Sequence, residues 1–199
     1  EVIVCHERLY NKKKSHLVYI SRLDDEWKSN SHKPLLDKIR LLYVGRMSEE
    51  KGIFEFIKMF NKLKFNAELS IVGDTEKYNF ENKNINLFGY VASPQSLIKI
   101  YDEHNIMILP SFTEATPYVV DESLSRKRPV IIFEDIDYIV RDKIGIFVSK
   151  RDIDSLSKAI RYIMDNYTEI QKKMEKNILP TKNTMIKQIS DIIESQNCL

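Results

Sequence analysis

The fold of this chain is constrained most by a regular alternation between short apolar runs and longer helical patterns. The apolar runs are rich in β-branched residues and almost continuously apolar, as expected when both faces of a parallel sheet are covered. They span residues 2–5, 17–20, 39–44, 68–72, 85–88, 105–109, 129–133 and 144–148. This repetition of strand and helix predicts an α/β fold with a Rossmann-like, doubly wound parallel sheet and right-handed crossovers.

The segments between the apolar runs have apolar residues at i, i+3 and i+4, which is the spacing of amphipathic helices. Ser93 and Pro94 predict the N-cap and the first residue of one of these helices. The predicted helices cover residues 52–64, 94–104, 153–166, 168–178 and 181–196. The polar stretch 21–38 is typical of a linker, in which we expect Trp27 to pack the chain against the domain.

The composition excludes several classes of protein. The chain has 199 residues, 43% of them hydrophobic and 30% charged, which is typical of a soluble globular protein. A net charge of +2 does not indicate a nucleic-acid surface, and no apolar run is long enough to predict a membrane span. Cys5 and Cys198, far apart and in no metal or disulfide pattern, are typical of a reducing compartment, so we expect a cytoplasmic protein. The four histidines lack metal-ligand spacing, so no metal site is predicted.

Three of the five glycines, Gly45, Gly73 and Gly89, follow directly after predicted strands. In a doubly wound sheet the carboxyl ends of the strands form the ligand crevice, where the backbone turns tightly and approaches the ligand. Each glycine alone is also explained by ordinary turn chemistry. The shared position of all three favours a crevice.

The stretch YVGRMSEEKG, residues 43–52, places Arg46 and Lys51 between a strand and the next helix. An arginine fork and a lysine charge beside helix amides suit an anionic diphosphate. The stretch lacks the glycine patterns of a P-loop and of a dinucleotide fingerprint. Arginine and lysine near a glycine are also common on ordinary surfaces, so this pattern leaves both interpretations open.

The stretch SFTEATPYVVDES, residues 111–123, places Glu114 before a predicted helix and Glu122 in its second turn. Thr116 is the predicted N-cap and Pro117 the predicted first helical residue. A carboxylate accepts hydrogen bonds from two neighbouring hydroxyls, so the pair suits a sugar and a ribose on either side of a phosphate at the helix start. The alternative is that both glutamates are surface charges.

The order of these motifs resembles the C-terminal half of the GT-B glycosyltransferases of the large retaining family 4 (glycosyl transferases group 1). The motifs are VGRMSEEKG, SIVGD, LFGYV, ILPSFTEATPYVVDES and RPVI, and the similarity runs from about residue 39 to residue 175. Glu-x7-Glu preceded by Pro-Ser, combined with Gly-Arg-x4-Lys-Gly, is far more specific than either part alone. The resemblance implies the C-terminal half of a GT-B fold and a nucleotide-sugar-binding domain.

The resemblance also implies roles for individual residues. In that family the arginine and lysine hold the donor diphosphate, which corresponds to Arg46 and Lys51. The first glutamate contacts the donor sugar and the second the nucleotide ribose, which implies Glu114 and Glu122. Further donor contacts are implied for Gly45, Gly73 and Asp74, for Tyr90 and Val91 beside the base, and for Ala115, Thr116, Pro117, Tyr118 and Val119 near the sugar and phosphates.

Three positions depart from the family pattern. Ala115 replaces the common glycine after the first glutamate, and Thr116 replaces the usual aromatic residue, so the donor sugar is hard to infer. Lys127 replaces a glycine two residues before the PVI strand. If the chain has a positive φ at this helix end, lysine is strained there.

The resemblance therefore implies the donor-binding domain of a metal-independent retaining glycosyltransferase, with Arg46, Lys51 and Glu114 in catalysis. The nucleotide-diphosphate sugar is a substrate, and no cofactor is expected. We expect residues 1–38 to be the end of an N-terminal domain and a linker, and residues 39–178 to form the donor-binding domain. Residues 179–199 are expected to pack on that N-terminal domain, most of which we expect to be missing from this sequence and which would carry the catalytic histidine.

The same resemblance implies a glycan or lipid-linked acceptor, bound through the N-terminal domain, and allows a peripheral contact with the inner face of the membrane. We expect this chain alone to bind donor weakly and to transfer nothing. Two other functions stay open. One is a nucleotide-diphosphate-sugar 2-epimerase, which shares the two-domain architecture, and the other is a non-catalytic module that binds nucleotide sugars.

Overall fold

The computed structural model describes residues 2–4, 11–12, 15–28 and 34–197, so that Cys5 and Cys198 lie outside it. The strands are β1 (Val2–Val4), β2 (Ser15–Leu17), β3 (Ile39–Val44), β4 (Ala67–Val72), β5 (Ile85–Gly89), β6 (Ile106–Leu109), β7 (Val130–Phe133) and β8 (Ile146–Ser149). The helices are α1 (Asp25–Lys28), α2 (Ile53–Phe60), α3 (Pro94–Glu103), α4 (Tyr118–Ser125), α5 (Ile153–Asp165), α6 (Tyr167–Met174) and α7 (Lys182–Asn197). Two 3₁₀ segments, Glu49–Lys51 and Glu134–Ile139, lie before α2 and after β7.

The central sheet has six parallel strands in the order β5-β4-β3-β6-β7-β8, which confirms the predicted doubly wound, Rossmann-like fold. The chain builds outward from β3 to β5 and then returns to place β6 on the other side of β3. Leu41 of β3 accordingly pairs with Ile106 of β6, while Val44 pairs with Val72 of β4. The strand order reverses between β3 and β6, and ligands of such sheets bind at this switch point, beyond the carboxyl ends of the strands.

Burial on both faces explains why the central strands are almost continuously apolar. All four residues of β6 and of β7 are buried, as are three consecutive residues of β3. The edge strand β5 instead alternates between half-buried and exposed residues. Two of the helices, α3 and α5, begin at side-chain caps: Ser93 accepts from the amide of Ser96, as predicted, and Asp152 accepts from that of Ser155.

The predicted strand over residues 17–20 is wrong in position. Strands β1 and β2 form a two-stranded parallel ladder, and its last pair joins Val4 to Leu17. Because a strand is defined by its hydrogen-bonded partner, β2 lies at Ser15–Leu17, and residues 18–20 belong to no strand.

Helix α4 begins one residue later than predicted. The sequence predicts Thr116 as the N-cap, but Pro117 occupies that position and Tyr118 is the first helical residue. Proline fixes φ but leaves ψ free, and Pro117 has ψ of 98°, an extended value. Glu122 still lies in the second turn of the helix, as expected.

A buried ion pair fixes the polar stretch that precedes the sheet. Arg126, at the end of α4, pairs with Asp102 of α3 at 2.7 Å and donates to the backbone oxygen of Trp27 at 2.9 Å. Trp27 lies in α1, is buried, and packs edge-on against Tyr101 with ring centroids 5.6 Å apart. The expectation that Trp27 packs this stretch against the domain is confirmed.

The start of α7 is hydrogen-bonded to the same stretch. The Ser21 hydroxyl donates to the backbone oxygen of Pro180 at 2.7 Å, and the Lys182 amide donates to the oxygen of Leu23 at 2.8 Å. Farther along α7, Ile186 and Ile193 are about half exposed, so part of its apolar stripe stays accessible. Among the described residues, no helix is both long enough and apolar enough to cross a membrane.

The positive φ considered for Lys127 is present, at 54°. A left-handed backbone costs a residue with a Cβ about 1–2 kcal/mol, and glycine avoids this cost. We expect Lys127→Gly to have a free energy of unfolding roughly 1 kcal/mol above that of Lys127→Ala, measured by urea unfolding. Both variants lose the exposed ion pair with Glu175. The difference between their free energies of unfolding therefore reports the cost of the left-handed backbone alone. An alanine variant as stable as the glycine variant would exclude strain at this position.

Candidate functional site

A cavity of about 820 Å³ opens at the carboxyl ends of β3, β4 and β6, which is the switch point of the sheet. The predicted site residues that line it are Gly45, Arg46, Lys51, Gly73, Asp74, Tyr90, Val91, Glu114, Thr116, Pro117, Tyr118, Val119 and Glu122. Ala115 does not line it. Gly89, which the sequence also placed at the crevice, does not line it either, so the structure brings all but two of the predicted residues to a single cavity.

Two glycines let the loops around the cavity approach each other. Gly52 has φ of 64°, and a Cβ there would lie 2.0 Å from the backbone oxygen of Pro110, after β6. Gly73 has φ of 155°, and its Cβ would lie 2.0 Å from the oxygen of Gly45. A side chain at either position would force the loops apart. The close approach at Gly52 brings the loop after β3 against the loop after β6.

Lys51 and Glu114 meet across these two loops. The Lys51 ammonium lies 2.8 Å from Glu114 Oε1, and the Ser111 hydroxyl donates to the same oxygen at 2.6 Å. The Glu114 side chain is 8% exposed and that of Lys51 is 23% exposed. The alternative that Glu114 is a surface charge is wrong, because its carboxylate is inside the cavity wall and is paired with a cation.

The backbone of the Glu114 loop is fixed from outside the cavity. The Tyr138 hydroxyl accepts from the Glu114 amide at 3.0 Å and donates to the Glu114 oxygen at 2.6 Å. Arg151 donates to the backbone oxygens of Pro110 and Ser111, each at 2.8 Å. Neither Tyr138 nor Arg151 was singled out from the sequence. Together they hold the loop in one position without help from a ligand.

The loop that carries Arg46 is fixed in a similar way. The Tyr43 hydroxyl donates to the Arg46 oxygen at 2.5 Å, and Asp74 accepts from the Met47 amide at 2.6 Å. Asp74 therefore supports the neighbouring loop in addition to lining the cavity. The Arg46 guanidinium itself is 71% exposed and pairs with Glu50 at 2.8 Å, so it lies at the rim.

Glu122 also lines the cavity and is buried. It is 7% exposed, and its Oε2 accepts a hydrogen bond from the Tyr101 hydroxyl at 3.0 Å. Burial raises the pKa of Glu122, and the Tyr101 hydrogen bond and the charge of Arg22 offset only part of that rise. The alternative that Glu122 faces solvent is therefore wrong. Among the described residues, Glu122 forms no ion pair, so it is an energetically costly carboxylate inside a cavity.

Some cavity residues were missed by the sequence analysis because they lie in the stretch assigned to a linker. Arg22, Asp24 and Trp27 line the wall beside α4. Only Trp27 gave an indication from the sequence, because its expected packing against the domain also brings Arg22 and Asp24 close to the domain. The described residues include no cluster of three or more histidine, cysteine, aspartate or glutamate side chains that could hold a metal ion.

The arrangement has the chemistry to hold a ligand that is both anionic and rich in hydroxyl groups. Lys51, Arg46 and Arg22 supply charged donors, which bind phosphate strongly. Glu114 and Glu122 supply carboxylate acceptors for hydroxyl groups. The cations and the two carboxylates border one volume, so a single ligand can contact both kinds of group.

Comparison with known proteins agrees with the fold and the motifs. The chain is 28% identical over 151 residues to the capsular polysaccharide biosynthesis glycosyltransferase CapM of Staphylococcus aureus, covering 68% of this chain and 39% of CapM. Its structure matches sucrose-phosphate synthase from Thermosynechococcus elongatus with a TM-score of 0.75 at 16% identity, over 98% of this chain and 58% of that one. It also matches Anabaena HepE, solved in complex with UDP and glucose, with a TM-score of 0.70 at 12% identity, over 99% of this chain and 62% of that one.

The chain thus spans less than two thirds of the length of each of these proteins. The family model described as glycosyl transferases group 1 matches residues 24–179, which is most of the chain. The matched residues include both motif loops and the whole six-stranded sheet. The chain therefore belongs to the glycosyl transferases group 1 family.

Proposed function

We propose that this chain is the donor-binding part of a retaining glycosyltransferase that transfers a sugar from a nucleotide-diphosphate sugar to a glycan or lipid-linked acceptor. The observation that carries the proposal is the contact between Lys51 and Glu114 in a cavity that Glu122 also lines. Cations and two carboxylates around one cavity match the groups of such a donor, in which a diphosphate joins a sugar to a ribose.

In this proposal Lys51 and Arg46 bind the diphosphate, Glu114 accepts hydrogen bonds from the donor sugar, and Glu122 accepts them from the ribose. The Lys51 ammonium has three donor hydrogens, so it can contact phosphate oxygens while it stays beside Glu114. As the bond to the sugar breaks, negative charge grows on the diphosphate, and the fixed cations stabilise it. Glu114 orients the sugar. The nucleotide sugar acts as substrate, and the proposal includes no metal or other cofactor.

Two similar proteins support this donor and acceptor. HepE was solved with UDP and glucose, which are the parts of a nucleotide-diphosphate hexose. CapM is named as a glycosyltransferase of capsular polysaccharide biosynthesis, and a polysaccharide is a glycan. We extend both properties to this chain as part of the proposal, together with a cytoplasmic location or a peripheral position at the inner face of the membrane.

The proposal also includes a second domain that binds the acceptor. The chain covers 39% of CapM and 58% of the sucrose-phosphate synthase chain, so each relative has a large part with no counterpart here. We propose that residues 1–38 lead from that domain, that residues 39–178 bind the donor, and that residues 179–199 pack back onto the second domain. The half-exposed Ile186 and Ile193 of α7 support this last contact.

Substitution of the paired residues tests the donor site. We expect Lys51→Ala to weaken binding of nucleoside diphosphates and their sugars about tenfold or more, since one charge-assisted hydrogen bond contributes roughly 1.5–3 kcal/mol. Glu114→Ala is expected to weaken binding of the nucleotide sugar but to leave the nucleoside diphosphate almost unchanged, because only the sugar contact is lost. Calorimetric titration with UDP-, GDP- and ADP-glucose and their diphosphates measures both effects.

The exposed pair of Lys58 and Glu55 on α2 provides matched controls. Lys58→Ala and Glu55→Ala remove the same charges outside the cavity and are expected to bind as the wild type does. Absence of any binding signal at millimolar nucleotide would refute the donor site. Unchanged affinity in Lys51→Ala and Glu114→Ala would favour a non-catalytic module instead. With the full-length protein, conversion of the donor to its 2-epimer without transfer would identify an epimerase.

The buried carboxylate gives a second prediction. A raised pKa means that the folded state holds the Glu122 proton more tightly than the unfolded state does. The stability contributed by Glu122 is therefore fully present below its ordinary pKa of 4.5 and is lost as pH rises through the raised value. We expect Glu122→Gln, which keeps an acceptor for Tyr101, to be more stable than the wild type at pH 7.5 and to lose this advantage near pH 4.

The same variant is expected to bind nucleoside diphosphates about fivefold to tenfold more weakly, because an amide has one acceptor oxygen for the ribose in place of two. Urea unfolding between pH 4 and pH 8, combined with calorimetry, measures both properties. A Glu122→Gln protein that is destabilised at pH 7.5 and binds nucleotide normally would show that Glu122 serves the fold through Tyr101.

A further inference from the structure

Arg22 enters the cavity from a backbone that is held on both sides. Its neighbour Ser21 is buried and bonded to Pro180, and Leu23 is buried and bonded to Lys182. The Ser21 hydroxyl also accepts from the Leu23 amide at 3.1 Å, which closes the turn around Arg22. The side chain of Arg22 is thus presented from a fixed position, although it lies in a stretch with no regular structure.

The guanidinium of Arg22 packs on α4. Its central carbon lies 4.5 Å from the centroid of the Tyr118 ring, which is within cation–π distance. Tyr118 and Glu122 are four residues apart on α4 and so share one face of the helix. Arg22 is also close enough to Glu122 for its charge to lower the pKa of that carboxyl. The cation therefore lies beside the carboxylate that is proposed to bind the ribose.

The charges around the cavity show why this cation matters. Its lining contains five carboxylates, Asp24, Asp74, Glu76, Glu114 and Glu122, and three cations, Arg22, Arg46 and Lys51. Arg46 is already paired with Glu50, and Lys51 with Glu114. Among the described residues, Arg22 forms no ion pair and rests on an aromatic ring instead. A dianionic diphosphate in a cavity with an excess of carboxylates requires every available cation, and the donors of Arg22 are the ones not already engaged by a carboxylate.

We propose that Arg22 is a third phosphate-binding residue of the cavity and binds the phosphate attached to the ribose, while Lys51 binds the phosphate attached to the sugar. The inference rests on the proposed function. It follows from position, since Arg22 lies beside Glu122 and Lys51 lies beside Glu114. A guanidinium that stacks by its face keeps its edge free, and that edge matches two phosphate oxygens.

Calorimetric titration with a nucleoside, its monophosphate and its diphosphate tests the assignment. The nucleoside used is uridine, adenosine or guanosine, chosen as the one whose diphosphate binds the wild-type chain most tightly. Arg22→Gln is expected to weaken the monophosphate and the diphosphate by the same factor, about tenfold or more, and to leave the nucleoside unchanged. Lys51→Gln is expected to weaken the diphosphate much more than the monophosphate. Arg22→Lys, which keeps the charge without the fork, is expected to recover part of the loss.

Arg161→Gln is the matched control. Arg161 lies on α5, its guanidinium carbon is 5.2 Å from the centroid of the Phe65 ring, and it does not line the cavity. It is expected to bind all three ligands as the wild type does. Normal monophosphate affinity in Arg22→Gln overturns the inference, and so does an equal loss of nucleoside binding or no recovery in Arg22→Lys. If the wild type binds no diphosphate, the proposed function fails. If it binds and Arg22→Gln binds equally, only the role of Arg22 fails.

Discussion

The contact between the loop after β3 and the loop after β6 is the constraint on which the site depends. The order of the strands places these loops side by side, but the distance between them is set by Gly52, where a Cβ would lie 2.0 Å from the Pro110 oxygen. Only because the backbones touch there does Lys51 reach Glu114 across the switch point. Tyr138 and Arg151 then hold the Glu114 loop from behind, so the charged pair is positioned before any ligand arrives.

The same cavity is electrostatically unfavourable for the fold. Carboxylates outnumber cations in its lining. Glu122 is buried against the Tyr101 phenol, and burial raises the pKa of the Glu122 carboxyl. A fold selected for stability alone would place neutral side chains there, since the loss of water around a buried carboxylate destabilises the folded state when it is only partly offset by neighbouring groups. Unfavourable charges of this kind concentrate at functional sites. A neutral side chain in place of Glu122 is therefore expected to favour stability and to disfavour ligand binding. This difference distinguishes a binding role of Glu122 from a structural one.

The sequence predicted the sheet and most of the cavity lining because both depend on local pattern. Continuous apolar runs identify buried strands, and the residues just after such strands lie at the crevice. Arg22 could not be predicted, because its position depends on contacts with Tyr118 and with residues far away near Pro180. Ala115 was predicted but lies outside the lining. Spacing does not determine which way a loop residue faces, and here Tyr138 fixes the peptide between Glu114 and Ala115.

In the proposed architecture, the hydrogen bonds around Arg22 connect the donor site to the second domain. Ser21 and Leu23 are bonded to Pro180 and Lys182, which lead into α7. In the proposed architecture α7 packs on the acceptor-binding domain, so a shift of that domain moves α7 and, with it, the backbone of Arg22. Lys51 lies on the loop after β3, and among the described residues no hydrogen bond joins that loop to α7. The proposed third phosphate contact would then be complete in only one arrangement of the two domains, and closure around the acceptor would strengthen the grip on the leaving diphosphate at the step where its charge grows.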